Sequence, residues 1–258
     1  MTLIDKIKKC ETKYLECFSK ATAQEDTIRF NDELIPDMYS HNCTWINSAK
    51  NDSEMIQYIE SAIENSKNNG KNFCMIQCHV PINEAILSAL SIKPEASTMG
   101  CYVFDNANFP KIKGNAECNV LKIDKPEIVK DLLQIDLEFD GDSLSVDFCT
   151  RRVNRKKDVF LSDTGFNSFV CYANNKAVGS CDIFFYEDTA KIEDFAVSPK
   201  KQGKGYGTAI LKKLIEIAIN KGISTVYLVT DEGDTAKEMY KKLGFNKVYE
   251  HTELLFNF

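Results

Sequence analysis

Gln202-Gly203-Lys204-Gly205-Tyr206-Gly207 is the stretch on which the fold turns. Residues 189–197 before it are rich in β-branched and apolar types, and they read as a strand that ends at Ser198-Pro199. Residues 208–221 after it carry Ile210, Leu211, Leu214, Ile217 and Ala218 at helical spacing, with Gly222 as the residue that stops the helix. A glycine-rich loop therefore joins a strand to the start of a helix. Glycines there let successive backbone N–H groups turn towards one point without obstruction by a Cβ. The helix adds its own N-terminal amides and the positive end of its dipole. Such a place cradles a pyrophosphate. Lys200, Lys201, Lys204, Lys212 and Lys213 gather around it, and the competing reading of those lysines is a solvated charged face.

The pattern by itself recurs by chance in roughly one chain in four of this length, so its placement carries the argument. A Walker loop needs G-x-x-x-x-G-K-[ST], and a dinucleotide fingerprint needs G-x-G-x-x-G; both are missing here. Further along, residues 224–230 read as a buried strand, Asp234 as a helix N-cap, and residues 235–243 as a short helix with Ala236, Met239, Tyr240 and Leu243 on one face. Gly244 ends that helix, and residues 248–256 read as a last strand. Upstream, the pattern predicts a strand at 118–123, a helix at 125–139 with Pro126 in its first turn, and a hairpin of 168–172 with 177–186. Residues 142–161 mix helical and loop signals. The order from residue 118 onward is β-α-α-β-β-β-α-β-α-β.

Residues 105–115 are polar and turn-rich, and read as a linker between a domain over 1–110 and one over 117–258. The first part predicts a helix at 4–20, a strand at 38–46, a helix at 53–66, a strand at 73–80, a helix at 83–92 and a strand at 99–104. Shifting it by 151 positions lays 38–46 on 189–197, 53–66 on 204–217, 73–80 on 224–231, and Ala85 on Ala236. That single offset suggests an internal repeat; chance alignment of two α/β segments is the alternative. The first copy has Asn47 to Asp52 where the glycine loop would stand and Ala89 in place of Tyr240, so it lacks the same anion cradle. Tyr39, His41 and Trp45 could line a pocket there, though packing is the commoner fate of such side chains.

The 258 residues carry 32 basic and 38 acidic side chains, a formal charge of −6. That balance argues against nucleic acid or an anionic membrane as the main partner. No apolar run approaches a membrane span, and residues 1–6 lack the apolar core of a secretory signal, which points to the cytoplasm. Ten cysteines occur with no C-x-x-C pair, and several lie inside apolar runs. They read as reduced thiols used as small hydrophobes. On a strand, Cys74 and Cys78 fall on one face and His79 on the other, so no metal is expected.

Taken together, these motifs resemble the GNAT superfamily of N-acetyltransferases. The resemblance covers about residues 117–258. It rests on the strand ending Phe195-Ala196-Val197-Ser198-Pro199, the Gln202-x-x-Gly205-x-Gly207 loop, and the later Ala236, Tyr240 and Leu243-Gly244-Phe245. It implies an α/β (α+β) fold, with a mixed, mostly antiparallel sheet flanked by helices. With the repeat, it implies tandem GNAT-like halves of which the N-terminal one is degenerate. It also implies that Phe195, Ala196 and Val197 bind the cofactor, with backbone groups of Phe195 and Val197 meeting the pantetheine arm and the thioester carbonyl, at a strand that splays from its neighbour at a bulge. Gln202, Gly203, Lys204, Gly205, Tyr206, Gly207 and Thr208 would bind the pyrophosphate of acetyl-CoA. Tyr240 matches the tyrosine that protonates the departing thiolate; a core aromatic is the competing reading. Glu193 lies two residues before Phe195, hence on the same face of a regular strand, and is the candidate base. Asp194 would point the other way. A surface carboxylate without a role is the alternative for both. The family often places Asn where Gly233 stands here, so that pantetheine contact is not expected.

The resemblance thus implies an acetyl-CoA-dependent enzyme without a metal, moving an acetyl group to a primary amine by direct attack in a ternary complex. The acceptor would be a small-molecule amine or a peptide, and the chain a monomer or homodimer with no nucleic-acid or membrane partner. A non-catalytic acyl-CoA-binding or sensing module is the alternative from another class.

Overall fold

A computed structural model of the chain describes residues 1–162 and 164–258. The elements run α1 (Leu3–Glu16), β1 (Lys20–Ala23), β2 (Thr27–Asn31), β3 (Cys43–Ile46), α2 (Asp52–Asn68), β4 (Phe73–Cys78), α3 (Glu84–Ala89) and β5 (Glu95–Phe104). They continue with β6 (Cys118–Lys122), α4 (Val129–Leu144), α5 (Val146–Phe160), β7 (Phe166–Ala173), β8 (Lys176–Tyr186), β9 (Thr189–Val197), α6 (Tyr206–Asn220), β10 (Thr225–Asp231), α7 (Ala236–Leu243) and β11 (Phe245–Asn257). Every element expected from residue 118 onward is present, in the expected order. Two compact units emerge, both discontinuous. The first comprises Met1–Cys17, Tyr102–Val229 and Glu238–Asn246; the second comprises Phe18–Cys101, Thr230–Lys237 and Lys247–Phe258.

In the first unit the strand order is β10-β9-β8-β7-β6. Strands β6 to β9 pair antiparallel in succession, and β9 pairs parallel with β10. The alternation of β8 defines the two faces of this sheet. Gly179 faces α6, since a Cβ built on it would meet Ile210 at 2.9 Å. Asp182 and Phe184, of opposite parity, face the other helices: Asp182 meets Lys156 of α5, and Phe184 meets Tyr14 of α1. Helix α1 starts at a capping box, in which Thr2 accepts from the Asp5 N–H while Asp5 accepts from the Thr2 N–H. Ser145 sits between α4 and α5 at φ 84 and its hydroxyl accepts from the Phe148 N–H. One left-handed residue thus divides the stretch whose helical and loop signals were mixed, and it also caps the second helix. Gly222, at φ 75, follows α6, with the Ile223 N–H donating to the Ala218 carbonyl in the closure typical of a glycine stop.

The second unit orders β1-β2-β3-β4-β11-β5, with β3 and β4 parallel. Its core packs Ile46, Ile59, Ile63, Ile76, Leu254 and Phe256 between sheet and helices. The hairpin of β1 and β2 was not foreseen, because its short, mixed runs carry no clear period. The strand expected over 38–46 is a 3₁₀ turn at Tyr39–His41 followed by β3. His41 is buried, stacked on Phe18 and set beside Asp32, and Trp45 is buried against Phe30 and His79. Tyr39 packs on Phe73.

Each unit therefore contains a parallel strand pair joined through a helix, β3-α2-β4 and β9-α6-β10. The 151-residue shift carries Met75 onto Val226 and Cys43 onto Asp194, yet Met75 pairs with Cys43 while Val226 pairs with Ala190. The helix and second strand keep the offset, while the first strand is displaced by four residues. All ten cysteines are free thiols, eight of them buried. Among the described residues no helix is long and apolar enough to cross a membrane, and no group of His, Cys, Asp and Glu is placed to hold a metal.

Candidate active site

The site is built where β9 departs from regular pairing. The parallel register with β10 runs from Thr189↔Thr225 to Ile192↔Leu228, while β9 itself continues to Val197. On its other edge, β9 pairs Asp182↔Glu193 and then Ser180↔Ala196, so Asp194 and Phe195 together stand opposite Cys181. This is a one-residue bulge. Asp194 takes the extra residue in left-handed backbone, φ 46. Beyond it, the Ser198 N–H donates to the Val178 carbonyl on β8 at 3.0 Å. Backbone groups alternate between strand edges, so Val197 and Phe195 direct theirs to the opposite edge, where pairing with β10 has ended. The Val197 carbonyl there accepts from Gln202 Nε2 at 3.2 Å. Two N–H donors thus line an opened strand edge.

The bulge overturns one inference from alternation. Glu193 and Phe195 do not share a face. Phe195 and Val197 face α6: a Cβ on Gly207 would meet Phe195 Cζ at 2.7 Å and Val197 Cγ2 at 3.5 Å. Glu193 faces α1 with Lys191, on the side of its partner Asp182. Asp194, expected to point away from Glu193, reaches Lys156 on that same helical side at 2.9 Å. An extra residue shifts the period of two by one, and a sequence pattern cannot show that shift.

Phe195 approaches Tyr240 of α7 edge-on, with ring centroids 6.3 Å apart, and Tyr240 meets Phe245 at 5.9 Å. Tyr240 is buried. The loop is exposed from Gln202 to Gly205. Gly203 and Gly205 adopt φ 74 and 76, and Gly205 is the N-cap of α6. A Cβ on Gly203 would meet nothing within 4 Å, so that glycine serves its backbone angle alone. Gly207 is needed for a different reason, the close approach of Phe195. Tyr206 is buried at the first turn of α6, with Thr208 half-buried after it. The predicted loop, strand and Tyr240 therefore come together in the first unit, and Glu193 reaches the same strand from the other face.

Around Glu193 lies a network of charges. Lys191 Nζ is 2.8 Å from Glu193 Oε2 and 2.7 Å from Glu11 Oε2 on α1, and lies over the Tyr14 ring. Lys156 of α5 is 2.7 Å from Asp182 and also holds Asp194, while Ser168 donates to Asp182 at 2.5 Å. Burial raises the Glu193 carboxyl to about 7; Lys191 opposes the shift, and the charges of Asp194 and Glu11 add to it. Burial likewise raises Asp182 to about 6 against the pull of Lys156. The Glu193 side chain keeps 29% exposure. Glu11 in this network, and Asn115 at the glycine loop, where its Nδ2 donates to the Lys204 carbonyl at 2.9 Å, are residues that sequence reading did not single out. Both lie far along the chain from the residues they serve, and no local motif marks them.

The arrangement fits a pyrophosphate-bearing ligand whose arm enters beside Phe195 and Val197. The fit rests on the left-handed glycines at a helix start and on the opened strand edge. A model of the acetyltransferase (GNAT) family matches residues 130–245. The uncharacterized N-acetyltransferase CgeE of Bacillus subtilis (strain 168) is 24% identical across 97% of this chain and 96% of its own length. A functionally unknown conserved protein from Staphylococcus epidermidis ATCC 12228 superposes with a TM-score of 0.78 at 17% identity, covering 93% of this chain and 94% of that one. A GCN5-related N-acetyltransferase from Kribbella flavida does so with a TM-score of 0.70 at 10% identity, covering 100% and 96%. At those identities the solved structures bear on fold alone, and each spans nearly the whole chain.

Proposed function

We propose that the chain, whose residues 130–245 match a model of the acetyltransferase (GNAT) family, moves an acetyl group from acetyl-CoA to a primary amine by direct attack in a ternary complex. The observation that carries this reading is the opened edge of β9 beside a left-handed glycine loop at the start of α6. Acetyl-CoA supplies a thioester whose carbon–sulfur bond breaks as the carbon–nitrogen bond forms. The amides of Gln202 to Thr208 and the N-terminus of α6 hold the pyrophosphate. Backbone groups of Phe195 and Val197 align the pantetheine arm, Ala196 between them keeps the strand paired with Ser180 of β8, and N–H donors on the opened edge stabilise negative charge at the carbonyl oxygen. Glu193, its carboxyl raised to about 7, accepts a proton from the substrate ammonium on the α1 face, directly or through water, and the neutral amine this frees attacks the thioester. Tyr240 gives a proton to the departing sulfur.

The acceptor in this reading is a small-molecule amine or peptide, and the chain works as a monomer or homodimer. Residues 1–110 and 117–258 are the two halves of the repeat, and only the second keeps the loop and Tyr240. The buried thiols suit a reducing cytoplasm. The test is CoA release over a panel of amines for the wild type and for Tyr240→Phe. The expected outcome is turnover by the wild type and a fall of about 10²–10⁴ in kcat for the variant, the range for a positioned general acid. Equal rates would remove Tyr240 as the acid. Tight CoA binding with no turnover on any amine would instead favour a sensing module, and a stable acetyl-enzyme would contradict direct transfer.

A further inference from the structure

We propose that Asn115 is a positioning residue for the anion-binding loop, locking the Lys204–Gly205 peptide in one orientation; its consequence for CoA rests on the reading above. Asn115 lies in the irregular segment ahead of β6, and its Nδ2 donates to the Lys204 carbonyl at 2.9 Å. Its Oδ1 accepts from the Glu117 N–H at 2.9 Å, and its own carbonyl accepts from the Cys118 N–H at 3.2 Å. A carbonyl can only accept and a peptide N–H can only donate, so these two partners settle which end of the carboxamide is nitrogen. Both ends are engaged, and the side chain has one orientation.

The segment is also seated on the helix that follows the loop. A Cβ on Gly114 would come within 2.8 Å of Ala209 Cα, so only glycine permits this approach. Asn115 itself lies against Gly205, whose added Cβ would be 3.6 Å from Asn115 Cβ. Two parts of the chain 89 residues apart thus meet at one peptide group.

That peptide needs a lock. Gly203 and Gly205 sit on either side of Lys204 at φ 74 and 76. Glycine tolerates both signs of φ, so a peptide beside it flips at little steric cost. In a planar trans peptide the C=O and the following N–H point in opposite directions. Holding the Lys204 carbonyl at Asn115 therefore turns the Gly205 N–H away from Asn115. A flipped peptide would exchange the two, taking a donor from the loop and presenting an oxygen that repels phosphate.

Asn115→Asp and Asn115→Ala are read together. The Asp carboxylate can still accept from the Glu117 N–H, keeping the turn, but cannot donate to Lys204, and it adds a negative charge beside the loop. Asn115→Ala removes both bonds and adds no charge. The NMR shifts of the Lys204 carbonyl carbon and the Gly205 amide are followed in the ligand-free protein, CoA affinity by calorimetry, and KM and kcat with acetyl-CoA and a turned-over amine. In both variants we expect these two resonances to shift or broaden, with a three- to tenfold rise in the CoA dissociation constant and in KM for acetyl-CoA. That range corresponds to one lost hydrogen bond. The value of kcat at saturation and KM for the amine should stay unchanged. If the folded variants keep wild-type shifts and wild-type CoA affinity, Asn115 does not lock the loop. A loss of affinity confined to Asn115→Asp assigns the effect to the added charge and overturns the proposal, as does a fall in kcat with no change in CoA affinity. Should the wild type fail to bind CoA while the Lys204 and Gly205 resonances still move in both variants, the pyrophosphate reading fails and the lock stands.

Discussion

Gly207→Ala separates two demands that glycine meets in this loop. The added Cβ would stand 2.7 Å from Phe195 Cζ and 3.6 Å from its Cε2. Ordinary contact begins near 3.4 Å, so the ring must retreat by roughly 0.7 Å. Overpacking of this kind costs about 1–3 kcal/mol. Alanine returns about 1 kcal/mol of that, because position 207 lies in the first turn of α6. The net loss is then about 0–2 kcal/mol, or a fall in Tm of up to about 8 °C in a chain of this size. The larger effect falls on the site. Phe195 is packed between Gly207 and Tyr240, and its backbone lies on the opened edge of β9. If the shift removes one hydrogen bond to the pantetheine arm, CoA binds about fivefold more weakly. Calorimetric titration with CoA, beside thermal unfolding, measures both. Gly222→Ala is the control. Gly222 has φ 75 with nothing within 4 Å, so alanine there meets only left-handed strain of about 1–2 kcal/mol and should leave CoA affinity untouched. A Gly207→Ala protein that is more stable than wild type and binds CoA equally well would refute the claim that Phe195 is held in place by contact.

Two further outcomes follow from the charges on the opposite face. The rate constant kcat/KM should rise with pH through an apparent pKa near 7 as Glu193 loses its proton, and Glu193→Gln should abolish that limb while lowering the rate about 10²–10⁴-fold. A pH–rate profile that keeps the same limb in the Gln variant would assign it to the amine instead. Lys191→Met leaves Glu11 and Glu193 without the ammonium that lies 2.7 and 2.8 Å from them. The loss at pH 8 should be about 3–5 kcal/mol, the cost of orphaning a buried charge. A carboxyl whose folded pKa is raised favours the folded state below its ordinary value of 4.5, and that contribution is lost as pH rises through about 7. The deficit should therefore shrink at pH 5. Denaturant titrations that give the same deficit at both pH values would refute the coupling.

The sequence alone determined the parts that depend on neighbours in the chain. The glycine spacing between residues 202 and 207, the helical period of 208–221 and the Leu243-Gly244-Phe245 stop are local patterns, and each reappears in place. Local pattern also placed the helix, second strand and later helix of the N-terminal half at one offset. Four matters were decided by tertiary structure. Asp194 became a bulge because β9 pairs with β8 on one edge and loses β10 on the other, and no residue type announces that. The extra residue moved Glu193 to the face opposite Phe195, against simple alternation. Residues 1–17 joined the compact unit of residues 102–229, so that Glu11 on α1 came to share Lys191 with Glu193. Asn115 reached Lys204 across 89 residues in the same way. Backbone period and turn chemistry act over a few residues and can be read in order; pairing register and buried charge depend on which distant segments meet, and only the folded chain brings those together.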